Sequence, residues 1–119
     1  MVSWIQNNIV EASVDFARTY DVICVLKDFH TVIANPYGLN YLNLSGNNGM
    51  ATAGSGDVLS GIIGSLLAQG YKASDAAAYG VYVHGLAGDM AKYSMGTWAI
   101  TASDIIEGLK EVWKKMENE

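Results

Sequence analysis

A glycine-rich segment with one acid at its end is the part of the chain best suited to chemistry. It spans Asn47–Asp57 (NNGMATAGSGD), and the apolar run Val58–Ile63 follows at helical spacing. Small side chains leave backbone N–H groups open to a ligand. A glycine loop that leads into a helix directs unpaired N–H donors and the positive end of the helix dipole at one place. The segment therefore predicts an anion hole at Gly54-Ser55-Gly56.

Asp57 needs a chemical explanation, because a carboxylate beside an anion site repels the anion. The N–H groups would stabilise negative charge on a transferring phosphoryl group. Asp57 would then be the base that accepts the proton of an attacking hydroxyl. A structural alternative stays open, in which Asp57 merely occupies a favourable first-turn position and the glycines form a tight turn. The segment is not a P-loop, because no Lys-Ser or Lys-Thr pair follows the glycines.

A helix and short strands are predicted upstream of this loop. Ser3–Gln6 has the form of a capping box, and the apolar spacing after it predicts a helix to about Tyr20. Val22–Leu26 is wholly apolar, which is typical of a strand buried on both faces in a parallel sheet. A hairpin follows, in the order strand, turn, strand, at Thr31–Ala34, Asn35–Gly38 and Leu39–Leu44.

Three helices are predicted downstream of the loop. The first ends at Gly70, and its Gly61 and Gly64 indicate close packing against another backbone. Ser74 is placed to cap the second helix, and the third begins at a cap formed by Thr101–Asp104. The second helix has a ridge of small side chains for tight packing, made of Ala76, Gly80, His84 and Gly88.

Composition narrows the class of protein. The net charge of -5 argues against a nucleic acid or an anionic membrane as partner. The single cysteine, Cys24, excludes a disulfide framework and is expected to be a small buried side chain. The N-terminus lacks the pattern of a signal peptide, and the apolar stretch Val58–Ala68 is too short to cross a bilayer. These features predict a cytoplasmic protein.

The same elements are too few for a complete doubly wound fold. One doubly buried strand, one hairpin and four helices give a thin sheet. A hydrophobic share of 50% is also high for 119 residues. The sequence therefore predicts the C-terminal part of a larger domain, with apolar surface that favours a homo-oligomer.

Asn47–Ile63 closely resembles the signature of the NAD(P)H-hydrate dehydratase family, whose members have a ribokinase-like fold. The likeness extends to Val25–Lys27, Thr31–Ala34, His84–Asp89 and Ala102–Ile105. The motif GxGD is shared with sugar and vitamin kinases of the same superfamily, whereas the longer string is specific. The resemblance implies an α/β fold, a ribokinase-like three-layer αβα domain, of which residues 1–119 are the C-terminal part.

The resemblance implies a repair reaction. Family members convert the S form of NADH or NADPH hydrate back to the working cofactor at the expense of ADP or ATP. The implied route phosphorylates the ring hydroxyl, after which phosphate leaves with a proton. Asp57 falls on the family's acidic position, which binds the hydrate and serves as base, next to Gly56 of the anion hole. Phosphoryl transfer also implies Mg²⁺, although the sequence offers no ligand cluster for it.

Two segments fall on the family's nucleotide-binding positions. The first consists of Lys27, Asp28, Phe29, His30 and Thr31, and the second consists of Asn47, Asn48, Gly49, Met50, Ala51, Thr52, Ala53, Gly54, Ser55 and Gly56. Asp28 replaces a glycine of the family pattern, and Ala53 replaces the first of two glycines. The Asp28 carboxylate either weakens nucleotide binding by repulsion or points to solvent, and both readings stay open.

Other polar and aromatic residues are assigned to structure. We expect a solvent-facing loop position for His30, packing or a hydrogen bond within the core for His84, packing for Tyr79 and Trp98, a helix end for Asp89 and a cap for Asp104. Two other functions stay open besides the dehydratase, namely a sugar or vitamin kinase of the same superfamily and a non-catalytic nucleotide-binding fragment.

Overall fold

The computed structural model describes residues 8–119, so the predicted capping box Ser3–Gln6 lies outside the described residues. Four helices and three strands follow in the order helix, three strands, three helices. They are α1 (Ile9–Tyr20), β1 (Cys24–Leu26), β2 (Val32–Ala34), β3 (Tyr41–Leu42), α2 (Ser55–Ala68), α3 (Ala73–Met95) and α4 (Ala102–Glu117). A short 3₁₀ turn, Asn48–Met50, lies inside the glycine loop and was not predicted.

The strands form one antiparallel sheet in the order β1-β2-β3. The predicted hairpin is confirmed, with Val32 opposite Leu42. The prediction of a doubly buried strand in a parallel sheet is wrong for residues 22–26. Cys24 pairs antiparallel with Ala34, and β1 is only half-buried. The physical reason is its position at a sheet edge, where α1 packs against it and β2 is its one partner among the described strands. Burial raises the pKa of the Cys24 thiol.

The long helix α3 is the centre of the helical layer and packs against α2, α4 and β2. Its predicted ridge is buried, and Gly80 leaves room for Ile63 of α2, since a Cβ there would lie 2.7 Å from Ile63 Cγ1. Gly108 of α4 lies even closer to α3, because its Cβ would lie 2.1 Å from the carbonyl oxygen of Ala87. These contacts fix α3 firmly between its neighbours.

Of the two helix caps predicted at the starts of α3 and α4, one is confirmed and one is wrong. Thr101 and Asp104 form a reciprocal capping box on α4, as predicted, in which Thr101 N donates to Asp104 Oδ2 at 2.8 Å. This bond and one from the Thr101 hydroxyl lower the pKa of Asp104. The predicted Ser74 cap is wrong, because α3 already begins at Ala73 and Ser74 lies in its first turn; the capping position is Lys72.

Three surface residues also correct the predictions. Gly61 and Gly64 are exposed, and a Cβ on either would meet nothing within 4 Å among the described residues, so close packing there is wrong. Trp98 is 101% exposed and does not pack. Tyr79 does pack, because its ring centroid lies 6.3 Å from that of Trp113 and its hydroxyl lies 3.3 Å from Met116 Sδ.

Candidate active site

The two predicted nucleotide-binding segments come together around one cleft of about 450 Å³. The β1–β2 connection supplies one wall, and the glycine loop with the middle of α3 supplies the other. Ten of the predicted residues line this cleft: Lys27, Asp28, Phe29, His30, Thr31, Asn47, Asn48, Met50, Ala51 and Ser55. Segments far apart in sequence therefore share one surface of a size suited to part of a small ligand.

The remaining predicted residues do not line the cleft but shape the loop that does. Gly49 lies under the α3–α4 connection, since a Cβ there would be 2.6 Å from the carbonyl oxygen of Thr97. Gly54 has φ +87 and a Cβ would lie 3.1 Å from that of Ala102, so only glycine fits comfortably. The residues outside the lining are Gly49, Thr52, Ala53, Gly54 and Gly56.

Unpaired backbone donors mark the start of α2. Ser55 N donates to the carbonyl oxygen of Thr52 at 3.2 Å, which closes the turn that leads into the helix. Within residues 8–119, the N–H groups of Gly54, Gly56 and Asp57 donate to no acceptor. Of the three residues predicted to form the anion hole, Gly54 and Gly56 have a free N–H, whereas the N–H of Ser55 is used in this turn; the N–H of Asp57 is free as well. Unpaired N–H groups at a helix start are suited to an anion.

Lys27 adds a full positive charge at the same place. A Cβ built on Gly56 would lie 3.5 Å from Lys27 Nζ, which puts the ammonium group against the first turn of α2. The one ion pair between described residues joins Lys110 and Glu107 on α4, so no carboxylate neutralises Lys27 there. An ammonium group beside free N–H donors is an arrangement that binds phosphate.

Asp57 lies in the first turn of α2 and its side chain is exposed. It lines a second cavity of about 710 Å³ between α2, α3 and α4, together with Tyr79 and Trp113. Its carboxylate forms no hydrogen bond or ion pair with any residue from 8 to 119. An acid held free of partners beside the loop is available to accept a proton.

His84 forms a hydrogen bond within the core, which is one of the two structural roles predicted for it. It is 6% exposed, and its Nε2 lies 3.0 Å from the carbonyl oxygen of Ser55 and 3.3 Å from Ser55 Oγ. Because a carbonyl oxygen only accepts, Nε2 carries the proton in this arrangement. Burial lowers the pKa of His84, the positive charge of Lys27 lowers it further, and the bond to Ser55 opposes both.

Asp89 is not the helix-end residue that was predicted, because it lies inside α3 and binds the glycine loop. Gly46 N donates to Asp89 Oδ2 at 3.1 Å, and Asn47 Nδ2 donates to Asp89 Oδ1 at 3.0 Å. The resemblance to the family already included His84–Asp89, and this was the one sequence signal that pointed to Asp89. Cleft residues that the sequence reasoning missed are Asn43, Ser45, Gly46, Leu59, Val81, His84 and Gly85.

Two further properties concern metals and membranes. Among residues 8–119, no group of three or more His, Cys, Asp and Glu side chains could hold a metal ion. The helices in that part of the chain are all too short or too polar to cross a membrane.

Comparison with known proteins assigns the fold and the family. The sequence profile described as NAD(P)H-hydrate dehydratase matches residues 1–111. The chain belongs to the NAD(P)H-hydrate dehydratase family. It is 47% identical over 115 residues to the bifunctional NAD(P)H-hydrate repair enzyme Nnr of Moorella thermoacetica, covering 97% of this chain and 22% of that protein. It is 57% identical over 72 residues to the ADP-dependent (S)-NAD(P)H-hydrate dehydratase of Neisseria meningitidis serogroup B, covering 60% of this chain and 24% of that protein.

Solved structures give the same fold. The ADP/ATP-dependent NAD(P)H-hydrate dehydratase of Bacillus subtilis, co-crystallised with ATP and Mg²⁺, superposes with a TM-score of 0.87 at 31% identity. The match covers 93% of this chain and 40% of that one. Bacillus subtilis YxkO superposes with a TM-score of 0.91 at 30% identity, covering 97% of this chain and 43% of that one. The ribokinase-like fold is thus present in part, and the chain spans about a fifth of the curated relatives it matches.

Proposed function

We propose that this chain supplies the phosphate-binding loop and the base of an ADP- or ATP-dependent dehydratase acting on the S form of NADH or NADPH hydrate. The observation that carries the proposal is the position of Lys27 Nζ against Gly56, at a helix start where the N–H groups of Gly56 and Asp57 are free. That arrangement combines an anion site with an unpaired carboxylate, and both parts are needed for phosphoryl transfer to a hydroxyl.

The proposed reaction has two steps. Asp57 accepts the proton of the ring hydroxyl while the hydroxyl oxygen attacks the terminal phosphorus of the nucleotide. A new O–P bond forms as the bond from that phosphorus to the bridging oxygen breaks. AMP leaves when ADP is used, and ADP leaves when ATP is used. Loss of phosphate from the ring carbon and of a proton from the next carbon then restores the double bond. Lys27 and the N–H groups of Gly54 and Gly56 stabilise the charge that develops on the phosphoryl oxygens.

The nucleotide would lie along the cleft between Lys27–Thr31 and the glycine loop. In support, the Bacillus subtilis relative was co-crystallised with ATP and Mg²⁺. Mg²⁺ would accompany the nucleotide and neutralise its phosphates. Residues 8–119 form no metal cluster of their own. A cytoplasmic location and self-association belong to the same proposal.

A chimera tests the activity. Replacing the matched segment of the Moorella thermoacetica enzyme with this chain should preserve regeneration of NADH from its hydrate with ADP or ATP, followed by nicotinamide absorbance. A panel of sugars and vitamins with ATP tests the kinase alternative in parallel. A sugar phosphate formed while the hydrate stays unchanged would overturn the proposal.

The 119-residue chain should also be assayed alone, without the rest of the chimera. Nucleotide binding by the isolated chain, with regeneration restored only in the chimera, would place the missing hydrate contacts outside these residues. Binding with no activity in either form would favour the non-catalytic fragment.

A further inference from the structure

Helix α3 contacts both ends of the glycine loop. At the start of the loop, the Asp89 carboxylate accepts hydrogen bonds from Gly46 N and Asn47 Nδ2. At its end, His84 Nε2 donates to the carbonyl oxygen of Ser55, the first residue of α2. His84 and Asp89 are five residues apart, which corresponds to about 7.5 Å along the helix axis. The two ends of the loop are thereby tied to one rigid element.

The loop also lies unusually close to α3 between those two residues. A Cβ on Gly85 would come within 2.0 Å of Ser45 Oγ, and a Cβ on Gly88 would come within 2.0 Å of Met50 Sδ. Ser45 Oγ further donates to the carbonyl oxygen of Tyr82 at 3.0 Å. The absence of side chains at two positions of α3 is therefore what lets the loop rest on the helix backbone.

We propose that His84 and Asp89 are positioning residues for nucleotide binding, which hold the glycine loop on α3 so that its free N–H groups face the diphosphate of ADP or ATP. The inference rests on the proposed function for its ligand. Each side chain acts through the backbone of the loop, His84 through Ser55 and Asp89 through Gly46.

The hydrogen bonds at the two ends make different demands on a substituted side chain. A glutamine at position 84 places an amide N–H near the Nε2 position and keeps a donor for Ser55, whereas leucine keeps the bulk and loses the donor. An asparagine at position 89 accepts from only one of the two donors, because its NH₂ group would face the other. Leucine at position 89 accepts from neither.

ADP and inorganic pyrophosphate are the probes, with affinity measured by calorimetry on the 119-residue chain. We expect His84→Leu and Asp89→Leu to weaken ADP binding about tenfold or more, and His84→Gln to stay within about threefold of wild type. Asp89→Asn should fall between wild type and leucine. Asp75→Asn is the matched control, because Asp75 is an exposed acid in the first turn of the same helix and should leave affinity unchanged.

Amide hydrogen exchange separates positioning from general stability. Asp89→Leu should speed exchange at Gly46, and His84→Leu should do so at Ser55, whose N–H donates to Thr52, with the protection of α4 unchanged. Pyrophosphate should follow the same order of affinities as ADP, since both are held through their phosphates. His84→Gln should restore protection around Ser55 along with affinity.

Two results would overturn the inference. One is folded leucine variants that expose the loop to exchange yet bind ADP within twofold of wild type. The other is exchange that rises equally in the loop and in α4, which would indicate a stability role only. Wild-type chain that binds neither probe would count against the proposed function instead, while exchange at Gly46 in Asp89→Leu still decides whether Asp89 holds the loop.

Discussion

Lys27 and Gly56 are neighbours in space although a hairpin and the glycine loop separate them in sequence. A Cβ on Gly56 would lie 3.5 Å from Lys27 Nζ. The ammonium group therefore stands at the positive end of the α2 dipole, and two positive charges placed side by side favour an anion between them. Lys27 is exposed and close to His84, whose pKa it lowers after the larger effect of burial.

Lys27→Met should weaken binding of ADP by about fivefold to tenfold, because one charge-assisted contact to phosphate is lost. The loss should shrink as salt concentration rises, since the site is open to solvent. Calorimetry at two ionic strengths measures both effects. Lys72→Met is the control, because Lys72 is an exposed lysine away from the cleft. An equal loss in both variants would contradict a local role for Lys27.

Asp57→Asn should reduce turnover by about 10²-fold to 10⁴-fold, because amide nitrogen and oxygen cannot take the hydroxyl proton. ADP affinity should stay within about threefold, since asparagine keeps the backbone donors of the first turn. Steady-state kinetics in the Moorella chimera and calorimetry measure the two quantities.

The control for Asp57 is Asp75→Asn, which removes a first-turn acid from another helix and should leave turnover intact. If Asp57→Asn lost its folded structure together with its activity, the structural alternative for Asp57 would be favoured. A thermal melt of both variants separates these outcomes.

Asp28→Gly should strengthen ADP binding by about twofold to fivefold, because Asp28 is exposed on the lining of the cleft and repels the phosphates. Asp28→Asn separates the effect of the charge on ADP affinity from the effect of side-chain bulk, since it removes the charge and keeps the bulk. Affinities that equal wild type in both variants would support the solvent-facing reading of Asp28.

Local sequence signals were enough for much of the fold. The hairpin, three helices after the loop and the Thr101 capping box all depend on spacing within a few residues. The direction of β1 was not predictable in this way, because a wholly apolar run fits either a parallel or an antiparallel neighbour. Pairing with Ala34 is decided by tertiary contacts.

In the candidate site, too, local features were predictable from the sequence and contacts between distant residues were not. Glycine spacing indicated a loop that binds an anion, and the structure brings Lys27 to it. The bonds from α3 to Gly46 and Ser55 join residues 29 or more positions apart, so no local pattern predicts them. Gly61 and Gly64 misled for the opposite reason, because a helical glycine indicates close packing only when a neighbour is present.

Stability should fall as the pH drops below the ordinary His pKa of 6.5, because the folded-state pKa of His84 is lowered. The denatured chain then binds a proton that folded His84 resists, whereas above this pH the contribution is fully present. The slope that one histidine adds is at most about 1.4 kcal/mol per pH unit. Urea unfolding at about pH 7 and about pH 5.5, on either side of the ordinary His pKa, measures this slope.

His84→Gln should remove this part of the pH dependence, because glutamine does not titrate. His30→Gln is the matched control, since His30 is exposed in the β1–β2 connection and should leave the wild-type slope in place. A His84→Gln variant with the full wild-type slope would show that other groups cause it.

The outer edge of the sheet should drive self-association. Tyr41 and Leu42 of β3 are 48% and 53% exposed, and Leu39 and Leu44 beside them are 75% and 71% exposed. An apolar edge strand offers both hydrogen-bonding groups and hydrophobic surface to a second copy. We therefore expect a size-exclusion mass well above the 12.7 kDa of one chain. Leu39→Lys with Leu44→Lys should shift the mass toward one chain, because charge at an edge opposes strand pairing. A wild-type chain that elutes as a monomer at high concentration would contradict this expectation.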